Sequence, residues 1–137
     1  MLKVVLPIKP LSYNAYFRNS KTGKRIKTGK GLAFDEELDL HLRENATALA
    51  QFGEKIDPSK NIVRLTVRVG NPNFFLKDGS RVSKTAGDVD NYLKVMQDKL
   101  FSYIGCDDYI CRHIVVTDGY SVEPFTEIIL EIIPIPR

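Results

Sequence analysis

The sequence predicts an α+β domain with a mixed β-sheet and two helices packed on one face, and three observations indicate this fold. Four segments have the apolar or alternating pattern of strands, and two others repeat apolar residues at steps of three or four. The elements follow in the order strand, helix, strand, helix, strand, strand. A chain of 137 residues has the length of one domain, so we expect residues 1–137 to form a single unit.

The N-terminal part predicts a short strand followed by a basic loop. Residues 2–7 are mostly apolar, and Pro7 and Pro10 end the strand. Residues 12–30 are polar and predict a loop in which basic and aromatic side chains are interleaved. Eight basic residues and no acid precede Asp35, an asymmetry typical of a surface that binds a polyanion. A solvated, flexible loop is the alternative.

A long helix and a half-buried strand are predicted next. Residues 32–52 carry an apolar stripe, which places the acids at 35–37 in the first turns and on a face that points away from DNA. Residues 61–70 alternate between apolar and polar, as in a strand with one exposed face. The long loop 71–87 follows and contains two phenylalanines, for which wedging into DNA, sealing a partner subunit and ordinary packing are all open.

The C-terminal part predicts two further strands. Residues 109–117 and 125–133 are rich in β-branched side chains, and we expect a turn around Asp118 and Gly119 between them. Prolines at 134 and 136 end the sheet. No segment approaches 18 consecutive apolar residues and no cleavable signal is visible, so we expect a cytoplasmic protein.

The most informative stretch runs from Gly87 to Asp108. Asp88 and Asp90 are one residue apart, so an extended backbone would direct both side chains to one face. A helix with one apolar stripe follows, Gly105 ends it, and a pair of aspartates comes next. We therefore expect the chain to fold back and bring a third carboxylate beside the first two.

Clustered carboxylates need a compensating charge. Two unit charges about 4 Å apart repel by about 4 kcal/mol at an effective dielectric constant near 20. Mg²⁺ removes that cost because it prefers carboxylate and phosphate oxygens, and Lys94 would stabilise charge on a phosphate. This composition is typical of metal-assisted phosphodiester hydrolysis. Helix capping by Asp88 or Asp90, a Lys94–Asp98 pair and a solvated aspartate turn are the alternatives.

A zinc site is a weaker interpretation of other residues. Cys106, Cys111 and His113 lie close in sequence, and Cys111 and His113 would share one strand face. No fourth ligand of suitable spacing exists, so structural cysteines are the better interpretation. The chain also contains no Ser-His-Asp pattern and none of the glycine-rich phosphate-binding motifs.

The central stretch resembles the RusA family of Holliday junction resolvases. The pattern D-x-D-N-x-x-K-x-x-x-D-x-L, followed by a D-D pair that enters a strand, begins at Asp88, and the N-terminal segment LPIKPLSYNAYFR is also similar to that family. The resemblance implies a Mg²⁺-dependent endonuclease, with Mn²⁺ as a substitute, that cuts four-way DNA junctions in recombination and repair. It further implies a homodimer of bacterial or phage origin.

The resemblance also assigns residues to the site. It places the catalytic carboxylates and metal ligands on Asp88, Asp90 and Asp108, and the catalytic lysine on Lys94. Asn91 and Asp107 would support the site. The predicted DNA contacts are the basic and aromatic residues of the two long loops, namely Tyr16, Arg18, Lys24, Arg25, Lys27, Lys77, Arg81 and Lys84. A domain of the same fold that grips branched DNA without cutting it is the alternative.

Overall fold

A mixed four-stranded sheet forms the centre of the molecule, which confirms the predicted α+β class. The structure, a computed structural model, describes residues 1–11, 13–82 and 89–137, with the side chains at 13, 14, 89–92 and 94 excepted. The strand order is β1-β6-β4-β5, and only the β4–β5 pair is parallel. The strands are β1 (Leu2–Leu6), β4 (Asn61–Asn71), β5 (Cys111–Tyr120) and β6 (Phe125–Pro134).

Three helices, α2 (Gly29–Arg43), α3 (Ala46–Glu54) and α4 (Val89–Ile104), pack against this sheet around one apolar core. The predicted alternation of β4 is confirmed, because Val63, Leu65 and Val67 are fully buried while Arg68 is exposed. The predicted stripe of α4 is confirmed as well, and its members Leu93, Met96, Leu100 and Ile104 all belong to the core. None of the helices in the described part of the chain is long and apolar enough to span a membrane.

The single long helix predicted for residues 32–52 is wrong, because the chain forms two helices. The break lies at Glu44 and Asn45, where the Asn45 amide donates to the carbonyl of His41 at 3.0 Å. An asparagine side chain that bonds to the backbone competes with the helical hydrogen bonds. Leu42 and Leu49 remain fully buried on either side of the break, so the apolar pattern is continuous across it.

The start of α2 also differs from the prediction. Thr28 caps this helix, and its side-chain oxygen accepts from the backbone N–H of Gly31 at 3.0 Å. The helix therefore begins at Gly29 and carries no acid in its first turn. Asp35 lies further along and faces the N-terminal segment rather than away from it, as described below.

The predicted loop of residues 12–30 contains regular structure. A one-turn helix, α1 (Tyr13–Tyr16), leads into strands β2 (Phe17–Asn19) and β3 (Arg25–Lys27), which pair antiparallel. Gly23 adopts a φ of 80° at the turn, and Ser20 N–H donates to the Lys24 carbonyl at 2.7 Å. We call residues 17–27 the basic hairpin.

Strand β5 continues past the turn predicted at Asp118 and Gly119. The parallel ladder with β4 extends to the pair Asn71–Tyr120, so backbone pairing with a longer neighbour overrides the local turn preference of these two residues. The turn between β5 and β6 lies instead at residues 121–124.

Helix α4 connects the two parallel strands and runs opposite to them. β4 and β5 are parallel and start at the same end of the sheet, where Val63 pairs with Cys111. Gly105, at a φ of 87°, ends α4, and only six residues separate Ile104 from β5. The C-terminal end of the helix therefore lies near the first residues of β5. Its N-terminal end lies toward the opposite end of the sheet, where β4 and β5 finish.

Candidate active site

The first turn of α4 contains one of the predicted catalytic aspartates. Val89 and Asp90 are helical, so the extended backbone that would direct Asp88 and Asp90 to one face is not present at these two residues. Positions 90, 94 and 98 follow at steps of four and thus share one helix face. Asp88 lies outside the described residues, as do the side chains of Asp90, Asn91 and Lys94.

The aspartate pair lies at the other end of α4. Asp107 precedes a short 3-10 turn, Asp108–Ile110, which leads directly into β5. Asp107 is exposed and Asp108 is half-buried. The two residues line a groove together with Asp98, Ser102 and Cys106, which belong to the second half of α4 and to its end. We call this the acidic groove.

The expected fold-back that joins the three carboxylates stays a prediction, because Asp88 and the Asp90 side chain lie outside the described residues, but the length of α4 bears on it. A helix rises about 1.5 Å per residue. Position 90 therefore lies about 12 Å along α4 from Asp98, and it is Asp98 that lines the acidic groove. Mg²⁺ holds its ligands at about 2.0–2.1 Å, so two oxygens on one ion lie close together. A continuous helix cannot bend to shorten this separation, and Gly105 turns the chain only after the helix has ended.

The donor chemistry of the described part of the site suits a hard cation. Asp98, Asp107 and Asp108 offer carboxylate oxygens, which Mg²⁺ prefers. Among the described residues, however, no three acids, histidines or cysteines are close enough to hold an ion.

The zinc interpretation fails for a geometric reason. A register shift in the β4–β5 ladder lies between Val63 and Arg64, so Cys111 pairs with buried Val63 while His113 pairs with Arg64. Cys111 is buried and His113 is exposed, and the expectation that the two share one strand face is wrong. Burial raises the pKa of the Cys111 thiol to about 11, which disfavours the thiolate that binds zinc.

The basic hairpin contains four of the eight predicted DNA contacts. Arg18, Lys24 and Arg25 are exposed, and the Arg25 guanidinium lies 5.5 Å from the centre of the Phe17 ring. Lys77 and Arg81 are also exposed, on the loop that follows β4. Lys84 lies outside the described residues.

Tyr16 occupies a different position from the one expected of a DNA contact. Its side chain is only 6% exposed, and its hydroxyl lies 2.7 Å from both carboxylate oxygens of Asp35. Burial and this hydrogen bond raise the pKa of Tyr16. A base cannot stack on a ring that is already covered, so this position indicates packing for Tyr16.

Asp35 is a site residue that the sequence reasoning missed. Its carboxylate accepts from Lys27 Nζ at 2.8 Å as well as from Tyr16, and its backbone carbonyl accepts from Lys99 Nζ at 3.2 Å. Burial alone would raise the pKa of Asp35, but the bonds from Lys27 and Tyr16 outweigh it and lower the pKa. Asp35 thus connects the basic hairpin to α2 and α4. It lies 8 residues from Lys27 and 64 residues from Lys99 in the sequence.

A second groove connects the basic hairpin with the acidic groove. It runs between the hairpin and α4 and is lined by Phe17, Lys27, Asp98, Lys99 and Ser102, among others. Asp98 and Ser102 line both grooves, so the two form one path along α4. This path offers cations at the hairpin end and carboxylates at the other end.

The two phenylalanines predicted as a wedge or a seal are only partly exposed. Phe75 is 44% exposed, Phe74 is half-buried, and their ring centres are 5.1 Å apart. The Phe75 ring also lies 5.8 Å from that of Tyr120, at the end of β5. Phe74, Phe75 and Tyr120 therefore form an aromatic cluster at the end of the sheet where β5 finishes.

Comparison with known proteins adds one finding. The family described as endodeoxyribonuclease RusA matches residues 7–131, which includes every element from α1 to β5 and most of β6. No protein among the curated ones matches the chain. The match includes both ends of α4, and thus every predicted carboxylate.

Proposed function

Since the chain belongs to the RusA endodeoxyribonuclease family, whose members resolve Holliday junctions, we propose that it is a Mg²⁺-dependent resolvase of four-way DNA junctions in recombination and repair. The family match over residues 7–131 carries this proposal. The exposed basic hairpin supports it, because it supplies charge for a phosphate backbone. The proposed setting is the cytoplasm of a bacterium or of a phage-infected cell.

In this proposal the carboxylates of Asp88, Asp90 and Asp108 hold the metal, with Mn²⁺ as a possible substitute. When bound, the metal lowers the pKa of a water molecule and stabilises the leaving oxygen. Lys94 stabilises charge on the scissile phosphate. Asn91 and Asp107 orient the ligands through hydrogen bonds.

The separation along α4 favours a homodimer that shares its active sites. Position 90 lies toward the end of the sheet where β4 and β5 finish. Asp108 lies at the opposite end, where these two strands start. A second copy can supply the acid that one chain leaves too far away. A C₂ dimer would then contain two equivalent sites, which is the number that paired cuts in a two-fold symmetric junction require.

The proposed DNA surface consists of the exposed cations. Arg18, Lys24 and Arg25 of the basic hairpin, together with Lys77 and Arg81, would contact phosphates. Lys27 is committed to Asp35 at 2.8 Å, so its charge is already partly neutralised. We therefore assign Lys27, like Tyr16, to the support of the hairpin.

Removing hairpin charge should flatten the salt dependence of junction binding. Each phosphate contact that is lost lowers the magnitude of the log–log salt slope by about 0.9 on duplex arms. We expect the double change Lys24→Ala and Arg25→Ala to lower the slope in this way, measured by fluorescence anisotropy without metal. The charge-matched control is Lys55→Ala with Lys60→Ala, two exposed lysines that follow the C-terminal end of α3. Equal slopes for the wild type and the hairpin variant would mean that the hairpin is only solvated.

Removing the Asp35 carboxylate should weaken DNA binding although it removes a negative charge. Asp35→Asn removes the carboxylate charge and one of the two oxygens that accept from Lys27 and Tyr16, so the hairpin is held more weakly and trypsin should cleave it faster. Loss of a charge-assisted hydrogen bond costs about 1.5–3 kcal/mol, which predicts junction affinity about tenfold lower or more. Glu36→Gln, an exposed neighbour on α2, is the control. Tighter binding with unchanged proteolysis would show that Asp35 acts only through its charge.

A single assay tests the proposed activity against the binding-module alternative. A synthetic four-way junction is incubated with and without Mg²⁺, and cleavage and gel shift are read on the same samples. A resolvase gives paired cuts only with Mg²⁺ and shifts the junction without it. A shift without cuts in any divalent metal would support the binding module, and the absence of both would reject the proposed substrate.

A further inference from the structure

The groove between the basic hairpin and α4 is a cavity to which the proposed catalytic residues assign no role. Its volume is about 570 Å³, within the range of about 300–1,000 Å³ that is typical of sites for small ligands. One wall is formed by α1, the hairpin and α2, and the other by Val95, Asp98, Lys99 and Ser102 of α4. A double helix is too large for such a groove, whereas a single strand is not.

Lys99 supplies a positive charge inside this groove. Its Nζ donates to the backbone carbonyl of Asp35 at 3.2 Å. A carbonyl is a neutral acceptor, so this bond positions the ammonium group without cancelling its charge. The Asp35 carboxylate lies 2.8 Å from Lys27, the second lysine of the groove. Two lysines against one aspartate leave the hairpin end of the groove positive, which suits a phosphate.

An aromatic ring lines the same end of the groove. Phe17 is half-buried, so part of its ring is accessible, in contrast to Tyr16, which is only 6% exposed. Grooves that bind single-stranded nucleic acid combine cations for the phosphates with aromatic rings on which bases stack. In a double helix the faces of the bases are covered by their neighbours. The Phe17 ring is therefore suited to an unpaired base.

The groove has the length of a short strand and leads to the acidic groove. Val95 and Ser102, which both line it, are about 10 Å apart along α4, and about three nucleotides span this distance at the 3.4 Å spacing of a stacked strand. Asp98 and Ser102 continue into the acidic groove. A carboxylate repels a phosphate, so Asp98 marks the point beyond which a strand requires a divalent cation.

We propose that this groove binds a short stretch of single-stranded DNA, with a phosphate on Lys99 and a base on Phe17, and directs it along α4 toward the acidic groove. The ligand class is a phosphodiester strand with unpaired bases, as in a flap, a fork or a gap. This inference goes beyond the proposed function, because a four-way junction with fully paired arms contains no unpaired strand.

Anisotropy of a short oligo(dT) labelled with fluorescein, measured without metal, tests the charge in the groove. Lys99→Ala should lower the magnitude of the log–log salt slope by about 0.7, the value for one phosphate contact on a single strand. Lys99→Arg keeps the cation and should keep the slope of the wild type. Lys60→Ala, which removes an exposed lysine after α3, is the charge-matched control.

Filling the groove tests the same site without changing its charge. Ser102 is exposed on α4, so Ser102→Trp should fold, as checked by circular dichroism, and should prevent oligo(dT) binding at concentrations that saturate the wild type. Leu40→Trp is the control, at a position on α2 that is 54% exposed and lines neither groove. Phe17→Leu keeps an apolar side chain and should lower the oligo(dT) affinity about fivefold or more, the loss of one stacked base.

Two further measurements distinguish the groove from its alternatives. A blunt duplex reports binding by the exposed hairpin cations, and Ser102→Trp should change its affinity less than that of oligo(dT). Failure of the wild type to bind oligo(dT), wild-type affinity of Ser102→Trp, or equal displacement by free thymidine monophosphate and by unlabelled oligo(dT) would overturn the proposal. Oligo(dT) binding by a protein that cuts no junction would leave the groove standing and reject only the proposed function.

Discussion

We expect Asp90→Asn to lower single-turnover cleavage of a four-way junction by several orders of magnitude and to leave metal-free junction binding unchanged or tighter. Asparagine nearly preserves the shape of aspartate but removes a charged oxygen ligand, so the metal is bound weakly and water is neither activated nor placed. Binding without metal can tighten because one carboxylate fewer faces the incoming phosphate. Like charges at about 4 Å cost about 1–4 kcal/mol, depending on exposure.

The structural alternative for Asp90 predicts a different pattern. α4 begins at Val89, so Asp90 lies inside the first turn. An acid there interacts with the helix dipole, which is worth about 0.3–1 kcal/mol. If this were the only role of Asp90, Asp90→Asn would cut like the wild type and melt at a slightly lower temperature. Cutting, metal-free affinity and the melting temperature are therefore measured on one preparation, with Glu36→Gln as the control for a lost exposed acid. Wild-type cutting would reject the catalytic assignment.

The parts of the fold that the sequence predicts correctly depend on short-range periodicity. The alternation in β4 and the stripe of α4 each repeat within a few residues, and both are buried as predicted. Gly105 ends α4 because its positive φ is readily available only to glycine. In these segments burial and local propensity favour the same structure.

The failures occur where distant residues or backbone hydrogen bonds decide the structure. The basic hairpin is held by Asp35, which is 19 residues from Tyr16 and has no signature in the local pattern. The helix break at Asn45 leaves the apolar spacing intact, so periodicity cannot reveal it. Strand β5 passes through Asp118 and Gly119 because β4 offers a ladder there.

Local sequence spacing is also insufficient to predict the arrangement of the candidate site. The residue types and their spacing predict carboxylate and lysine chemistry, which stays a prediction, while the family match shows that the chain belongs to an endodeoxyribonuclease family. Spacing alone cannot show that α4, at 16 residues, holds its two ends apart. The expectation that a chain folds back after a helix is correct for the backbone. It does not bring the ends of the same helix together.

We expect a mixture of two inactive variants, Asp90→Asn and Asp108→Asn, to regain junction cutting. If each site takes position 90 from one copy and Asp108 from the other, a mixed dimer contains one intact site and one site that lacks both acids. Random assortment after co-refolding gives intact sites at about one quarter of the wild-type number. The intact site cuts a single strand, so nicked junctions should accumulate in place of paired cuts.

The control mixture combines two changes on the same part of the chain. Asp90 and Lys94 both lie on α4, so Asp90→Asn mixed with Lys94→Ala leaves every site with at least one change and should stay inactive. Each variant refolded alone sets the baseline, and gel electrophoresis of a junction labelled on each strand separates nicks from paired cuts. If the Asp90→Asn and Asp108→Asn mixture stays at the baseline while both variants form mixed dimers, each site lies within one chain. In that case the separation along α4 has to be closed by a movement of Asp108 toward the D-x-D segment.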